Sequence, residues 1–268
     1  TFDRPELPVL AQSDVAVMGG SFGGVAAALA LARAGRKVTL VEPRTYLGRE
    51  VGATLRPWIP LPDGGDPSEL PEIVAACVEA SGTSADDGEI PLHMDAVKVR
   101  LEDSLLEAGV RVIYASLPVG LAVDEGRIRG VITGNKSGRQ VITCRAVIDA
   151  TVTGLVARLA GAEFETPPEE TGRFASTLEF TGVAHLDGGE LPVPARLDLV
   201  DDRVTIHPGY RGTDHVLVAY QLDLPRGGRD ALAGAARDAQ ARRRTIRLAE
   251  YLLGEVPAAG LTVTELAD

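Results

Sequence analysis

The chain has 268 residues, of which 45% are hydrophobic, and its net charge is -11. This composition excludes a disordered chain, and the length suffices for one large or two ordinary domains with a buried core. The negative charge argues against a nucleic acid or an anionic membrane surface as a partner, because both would be repelled. No apolar stretch reaches the roughly 18 residues that span a bilayer, since Arg33, Arg36 and Lys37 interrupt the longest one.

Residues 1–12 form a polar lead-in, and residues 14–42 then predict a strand, a glycine turn, a helix and a second strand. The first strand, 15–18, is apolar without alternation, as expected for a parallel strand that is covered on both faces. The helix, 26–34, consists mainly of good helix formers and ends before a glycine cap, and the second strand follows at 37–41. Together these elements predict a βαβ unit.

The glycine turn and the acid after the second strand predict a dinucleotide site. Free N–H groups at the start of the helix favour a pyrophosphate, and the carboxylate of Glu42 can accept hydrogen bonds from ribose hydroxyls. A carboxylate there repels a 2′-phosphate, which favours FAD or NAD over NADP. The GxGxxG fingerprint reads Gly19, Ser21 and Gly24, and Ser21 is compatible with it if its hydroxyl turns aside or bonds a phosphate oxygen. The alternative is an ordinary βαβ unit that binds no nucleotide.

The next segment, 43–71, is rich in proline, glycine and arginine without a clear period, and it predicts a long loop. Helices are predicted at 69–80, with Val74 and Val78 on the apolar face, and at 94–108. A polar turn at 81–89 separates them. The stripe of the second helix consists of Val97, Leu101, Leu105 and Leu106.

Residues 110–161 predict further strands that end in a short helix at 151–161. Two of these strands form an antiparallel hairpin, to which a third is added, and the last carries Asp149. The predicted strands lie at 110–114, 121–124, 128–133, 140–144 and 146–150.

Beyond Glu163 the pattern changes to period-2 alternation, which predicts an antiparallel sheet with one covered face. A linker is expected at 167–170, and a long helix at 230–253, with Asp230 as its N-cap and Gly254 as its stop, closes the chain. The alternating strands lie at 174–184, 196–207 and 215–223.

These residues together resemble the FAD-dependent oxidoreductase family of the glutathione-reductase-like superfamily. The GGSFGG turn at 19–24 is similar to a GGSxxG variant of flavoproteins, and residues 42–48 are similar to the acid and glycine loop that follow the second strand. Residues 109–119 are similar to the strand whose following backbone binds adenine. Residues 147–151 resemble the family's IDATGDG signature, but Val152 and Thr153 stand where the family carries Gly-Asp.

The resemblance implies an α/β fold with two domains. Residues 1–163 would form a Rossmann-like FAD-binding domain with a parallel sheet and an inserted β-hairpin or meander. Residues 164–268 would form an antiparallel-sheet α+β substrate domain with a closing helix. It also implies FAD as the cofactor, bound by Gly19, Gly20, Ser21, Phe22, Gly23, Gly24, Glu42, Pro43, Arg44, Gly48, Arg49, Pro118, Val119, Ala150, Thr151 and Gly154.

In the family a C-terminal segment completes the flavin pocket, and this chain ends at Asp268, before such a segment. The resemblance therefore implies that the C-terminal part of the FAD domain is absent from this chain. Either a second polypeptide completes the pocket, which makes the protein a heteromer, or the chain is one piece of a larger protein.

Catalytic side chains are difficult to read in flavoenzymes, because the cofactor carries the chemistry. Arg56 could orient an anionic substrate or the flavin, or form a structural salt bridge, and His207 could act as an acid or base or be an ordinary surface or core residue. No metal cluster or nucleophile triad is visible. Cys77 and Cys144 lack metal or redox spacing, which favours buried thiols in a reducing cytoplasm.

The sequence therefore predicts an FAD-dependent oxidoreductase, or its FAD-binding subunit, that moves a hydride or an electron pair between a small organic substrate and the flavin. The alternative is a non-catalytic flavin-fold subunit with a structural or regulatory role in a heteromeric complex. An NAD-dependent dehydrogenase is disfavoured, because the long loop after Glu42 and the late IDAT strand have no place in a plain dehydrogenase domain.

Overall fold

The computed structural model describes residues 7–61, 66–84, 89–165, 171–182, 189–212, 214–226, 230–255 and 262–266. The chain divides into two compact units, Thr1–Gly52 with Trp58–Phe164, and Ala53–Pro57 with Glu165–Asp268. The change after Phe164 lies one residue beyond the expected boundary, whereas the assignment of Ala53–Pro57 to the second unit was not predicted from the sequence.

The first unit alternates strands and helices along the chain. Its strands are β1 (Val9–Gln12), β2 (Val15–Met18), β3 (Val38–Val41), β4 (Trp58–Pro60), β5 (Glu89–Pro91), β6 (Arg111–Ile113), β7 (Leu117–Asp124), β8 (Arg127–Asn135), β9 (Gly138–Thr143) and β10 (Ala146–Asp149). Its helices are α1 (Phe22–Arg33), α2 (Arg49–Gly52), α3 (Glu72–Ser81), α4 (Met94–Glu107) and α5 (Leu155–Leu159), with a 3-10 turn at Pro67–Glu69.

A parallel sheet with the strand order β10-β2-β3-β6 forms the centre of this unit. Every residue of β2 and β3 is buried, as predicted for parallel strands that are covered on both faces. Because the strands are parallel, their carboxyl ends meet at one edge of the sheet. That edge carries the residues that follow Met18, Val41 and Asp149.

A second sheet, with the order β1-β9-β8-β7, contains the predicted antiparallel meander. Its residues Val131 and Ile142 share one buried cluster with Met18 and Val41 of the parallel sheet, so the meander covers one face of that sheet. The predicted polar lead-in is wrong over β1, which pairs parallel to β9 and buries Ala11.

The predicted loop at 43–71 also contains regular structure, because α2 and β4 lie within it and β4 pairs with β5. Helix α3 buries Ile73 and Cys77 rather than the predicted pair, which is only half-buried. The apolar stripe of α4 is confirmed except at Leu106, which is 56% exposed. Both cysteine thiols are free and buried, as predicted.

The second unit contains β11 (Thr171–Thr181), β12 (Gly189–Pro192), β13 (Arg203–Pro208), β14 (Val216–Pro225), β15 (Thr262–Leu266) and α6 (Ala231–Glu255), with a 3-10 turn at Ala195–Leu197. The strands form the predicted antiparallel sheet, in the order β12-β13-β14-β11-β15. Its covered face packs against Leu248 and Leu252 of α6.

The second unit differs from the sequence-based expectations at the start of β13 and at the end of α6. The strand expected at 196–207 begins only at Arg203, because residues 195–197 form the 3-10 turn. Asp230 is confirmed as the N-cap of α6, since its Oδ1 accepts a hydrogen bond of 2.8 Å from the N–H of Leu232, but the helix continues through Gly254. The linker at 167–170 and part of the turn at 81–89 lie outside the described residues.

None of the described helices combines the length and apolar character that crossing a membrane requires.

Candidate cofactor-binding site

The glycine turn after β2 begins at a position that only glycine can occupy. Gly19 has a φ of +110°, and its N–H donates to the carbonyl of Val41 at 2.8 Å. A Cβ added to Gly19 would lie 2.3 Å from the carbonyl oxygen of Ala150. The turn therefore depends on the close approach of three chain segments at the carboxyl edge of the parallel sheet.

The other glycines of the turn differ in the space around them. A Cβ on Gly24 would lie 2.1 Å from the carbonyl oxygen of Gly19, and one on Gly20 would lie 2.3 Å from Cδ2 of Leu47. At Gly23 the nearest atom would be Oγ of Ser21, at 3.9 Å. Gly24 is thus required by the backbone that faces it, a side chain on Gly20 would require Leu47 to move, and the outer side of Gly23 is open.

Ser21 caps α1, which explains the serine in the fingerprint. Its backbone is extended, with φ -66° and ψ 165°, and its Oγ accepts a hydrogen bond of 3.1 Å from the N–H of Gly24. The hydroxyl is therefore turned toward the first turn of the helix, one of the two arrangements that make serine compatible with the site.

Glu42 joins the second strand of the βαβ unit to the glycine turn. The residue is 3% exposed, and its Oε2 accepts a hydrogen bond of 2.6 Å from the N–H of Gly20. Its Oε1 accepts one of 3.0 Å from the N–H of Arg44. A carboxylate oxygen can accept more than one hydrogen bond, so Glu42 can hold the turn and still receive a ribose hydroxyl.

The segment after Glu42 returns to the glycine turn. The N–H of Gly48 donates to the carbonyl of Gly20 at 2.9 Å, and Gly48 has a φ of +72°. Helix α2 follows, and Oε1 of Glu50 accepts a hydrogen bond of 3.1 Å from the N–H of Phe22, the first residue of α1. Glu50 was not predicted as a site residue, because the contact joins positions 28 residues apart.

The segment before β7 lies against the residues that follow β3. The N–H of Ser116 donates to the carbonyl of Glu42 at 3.2 Å, and that of Ala115 donates to the carbonyl of Arg44 at 3.1 Å. Pro118 and Val119 lie in β7 itself and differ in exposure, since Pro118 is buried and Val119 is 44% exposed. The expected adenine contact of Pro118 and Val119 stays a prediction, as does a cofactor contact of Pro43.

Asp149 organises the end of β10 and the start of α5. Its Oδ1 accepts a hydrogen bond of 2.6 Å from the hydroxyl of Thr151, and its Oδ2 accepts one of 2.9 Å from the N–H of Ala157. Burial would raise the pKa of Asp149, but these hydrogen bonds outweigh it and hold that pKa below its usual value. Gly154 has a left-handed backbone at the start of α5, and the Val152 side chain is 63% exposed.

The two catalytic candidates lie in the second unit. Arg56 belongs to the segment Ala53–Pro57 and is exposed, and His207 is half-buried on β13, opposite Leu217. Both residues have further polar or ring partners in the structure. Their catalytic roles stay predictions.

A buried polar cluster in the second unit was missed from the sequence. Nε2 of His215 lies 2.6 Å from Oε1 of Glu179, and the two side chains are 0% and 1% exposed. The hydroxyl of Tyr210 donates to the same oxygen at 3.1 Å, and Nδ1 of His215 accepts a hydrogen bond from the N–H of Arg211. Burial and the nearby Glu179 carboxylate raise the pKa of Tyr210 above its usual value.

The residues around α1 fit the pyrophosphate of a dinucleotide. In the described part of the chain, no protein acceptor binds the N–H groups of Ser21 and Gly23. The Nε of Arg49 is buried and has no hydrogen-bond partner among the described residues. Unused backbone donors at a helix N-terminus favour a bound anion, and an arginine side chain can add charged donors to such a site.

The chain is similar to known proteins in sequence pattern and in fold. The model of the family described as FAD dependent oxidoreductase matches residues 14–256. No curated protein sequence matches the chain.

Several solved flavoprotein structures share the fold. A geranylgeranyl bacteriochlorophyll reductase-like protein from Thermoplasma acidophilum has a TM-score of 0.64 at 15% identity, over 96% of this chain and 65% of that one. The p-nitrophenol 4-monooxygenase PnpA from Pseudomonas putida DLL-E4 gives 0.61 at 15% identity, over 96% and 67%. The flavin-dependent brominase Bmp2 gives 0.62 at 10% identity, over 95% and 66%. The chain thus spans 65% of the length of the first of these structures.

Proposed function

Because the chain belongs to the FAD-dependent oxidoreductase family, we propose that it holds the adenosine half of FAD, with the pyrophosphate at the N-terminus of α1 and the ribose on Glu42. We further propose that the complete enzyme transfers a hydride or an electron pair between a small organic substrate and the flavin. The observation that carries the proposal is that the N–H groups of Ser21 and Gly23, at the N-terminus of α1, have no protein acceptor in the described chain. The buried Nε of Arg49, at the start of α2, also has no hydrogen-bond partner there.

The residues of this chain bind and orient the cofactor in this proposal, and the flavin supplies the redox chemistry when it is bound. The glycine turn lets the backbone approach the phosphates, and the hydroxyl of Ser21 fixes the first turn of α1. Asp149, the last residue of β10, accepts a hydrogen bond from the N–H of Ala157 in α5. The backbone of Ala150, which follows β10, packs closely against Gly19. The glutathione-reductase-like superfamily is the finer assignment that we propose, on the strength of the GGSFGG turn and the IDAT motif.

Replacing Glu42 with alanine should weaken FAD binding roughly ten- to a hundredfold, because a charged acceptor of the ribose hydroxyls is lost, at about 1.5–3 kcal/mol. The FAD dissociation constant of each purified variant is measured by titration. Glu42→Gln, which keeps the size and one acceptor oxygen, should lose less. Unchanged FAD retention in Glu42→Ala would contradict the assignment.

Glu42 also accepts the N–H groups of Gly20 and Arg44, so a control must separate ribose binding from support of the turn. ADP and 2′-deoxy-ADP provide it. The wild-type protein should bind ADP more tightly than the deoxy form, and this preference should disappear in Glu42→Ala. A preference that survives the substitution would show that Glu42 acts only on the turn.

We also propose that a second polypeptide completes the flavin pocket, as the family resemblance implies. The chain covers 65–67% of the length of three similar structures. The molar mass of the purified protein in solution tests it. We expect a species that contains this chain and another polypeptide, and a monomer of this chain that retains one FAD would contradict the proposal.

A further inference from the structure

Glu50 places a carboxylate at the N-terminus of α1. The hydrogen bond between the N–H of Gly48 and the carbonyl of Gly20, 2.9 Å long, holds the start of α2 beside the glycine turn. From there, the carboxylate of Glu50 reaches the N–H of Phe22 at 3.1 Å. A negative side chain thus lies at the first N–H of α1, beside the donors proposed for the pyrophosphate.

The Glu50 carboxylate and a pyrophosphate favour the same place for the same reason. Both are anions, and the positive end of α1 and its free N–H groups stabilise either of them. The two cannot share the site without repulsion, because like charges a few ångströms apart repel even near the protein surface. The pyrophosphate therefore has to displace the Glu50 carboxylate from the N–H of Phe22.

We infer that Glu50 is an internal anion that competes with the dinucleotide pyrophosphate for the N-terminus of α1, and so lowers the affinity of the site for it. The inference rests on the proposed function. It differs from the role of Glu42, whose buried carboxylate holds Gly20 and is proposed to bind the ribose rather than to exclude the phosphates.

The competition should lower the affinity for ligands that carry phosphates and leave the affinity for adenosine unchanged. A ligand with phosphates at the α1 N-terminus has to displace the carboxylate, whereas adenosine alone does not. The exposed setting of Glu50 also makes the effect sensitive to salt, because ions screen charges near the surface. A residue that only supported the turn would change the binding of both ligands together.

The test measures the dissociation constants of ADP and adenosine for the full chain, in the wild type, Glu50→Gln and Glu50→Ala. We expect both variants to bind ADP about tenfold more tightly, which corresponds to about 1.4 kcal/mol, with adenosine binding unchanged. The gain should shrink at high ionic strength. The matched control is Glu107→Gln, which also removes one negative charge from an exposed glutamate. Glu107 ends α4, the helix that leads into β6, so it lies at the amino edge of the parallel sheet, away from the glycine turn at the carboxyl edge.

The outcomes separate the inference from the function on which it rests. Equal or weaker ADP binding in Glu50→Gln, with ADP still preferred over adenosine by the wild type, would overturn the inference and leave the proposed site intact. An equal gain in Glu107→Gln would also overturn it, because the effect would then reflect net charge alone. If no variant bound ADP better than adenosine, the proposed function would fail together with the inference.

Discussion

Replacing Glu179 with alanine should destabilise the second unit by about 3–5 kcal/mol, the usual cost of removing one partner from a buried charged or hydrogen-bonded pair. The substitution leaves the buried His215 without the oxygen 2.6 Å from its Nε2. It also removes the acceptor of the Tyr210 hydroxyl. Chemical denaturation followed by far-ultraviolet circular dichroism measures the loss.

A surface glutamate of the same sheet provides the control for Glu179. Glu190 on β12 forms an ion pair with Arg203, and both side chains are more than half exposed, at 57% and 53%. Because exposed ion pairs contribute little, Glu190→Ala should cost less than about 1 kcal/mol. Equal losses of stability in the two variants would contradict a structural role for the buried cluster.

The second large effect is expected at the glycine turn, where Gly24→Ala should destabilise the first unit by roughly 1–3 kcal/mol. The new Cβ would lie 2.1 Å from the carbonyl oxygen of Gly19, so the helix and the turn must move apart. The movement should also reduce FAD binding, because it displaces the backbone donors of α1. Thermal unfolding and FAD titration measure the two effects.

Gly23 is the matched control, since it lies in the same helix with no atom closer than 3.9 Å to an added Cβ. Alanine is favoured over glycine inside a helix by up to about 1 kcal/mol, so Gly23→Ala should leave the fold as stable as before or slightly more so. If Gly24→Ala were as stable as Gly23→Ala, the close approach of the backbone at this turn would be wrong.

The βαβ unit could be predicted because its signals are local. Apolar runs without alternation, a glycine cluster and a run of helix formers lie within residues 14–42, and each element depends mainly on its own residues. The GxGxxG fingerprint also predicts glycine at positions 19 and 24, where the structure shows that an added Cβ would clash with backbone atoms. The role of Ser21 could be stated only as alternatives, because the direction of its hydroxyl depends on the cap geometry that the structure shows.

The features that were missed depend on contacts between distant residues. Strand β1 pairs with β9, which lies more than a hundred positions later in the chain. Nothing in the residues around β1 therefore indicates that this segment forms a strand. Glu50 and Phe22 are separated by 28 positions, and Glu179 and His215 by 36. The acid between Leu178 and Phe180 was a usable sign, because a charge within a buried strand requires a partner.

The face of α3 was missed for a different reason. The predicted helix began at Glu69, whereas the structure begins it at Glu72, directly after Pro71. The buried residues Ile73 and Cys77 are four positions apart, as are Val74 and Val78, so helical spacing alone could not choose between the two pairs. Only packing against the neighbouring helix decides which pair turns inward.

The most direct test of the account is the native mass spectrum of the protein as purified, which reports the ligand and the subunits together. We predict one FAD for each copy of this chain, in an assembly that also contains a second polypeptide, with FAD lost from Glu42→Ala under the same conditions. A wild-type assembly that carries no flavin, or that carries FMN in place of FAD, would contradict the central claim that the N-terminus of α1 and Glu42 bind the adenosine half of FAD.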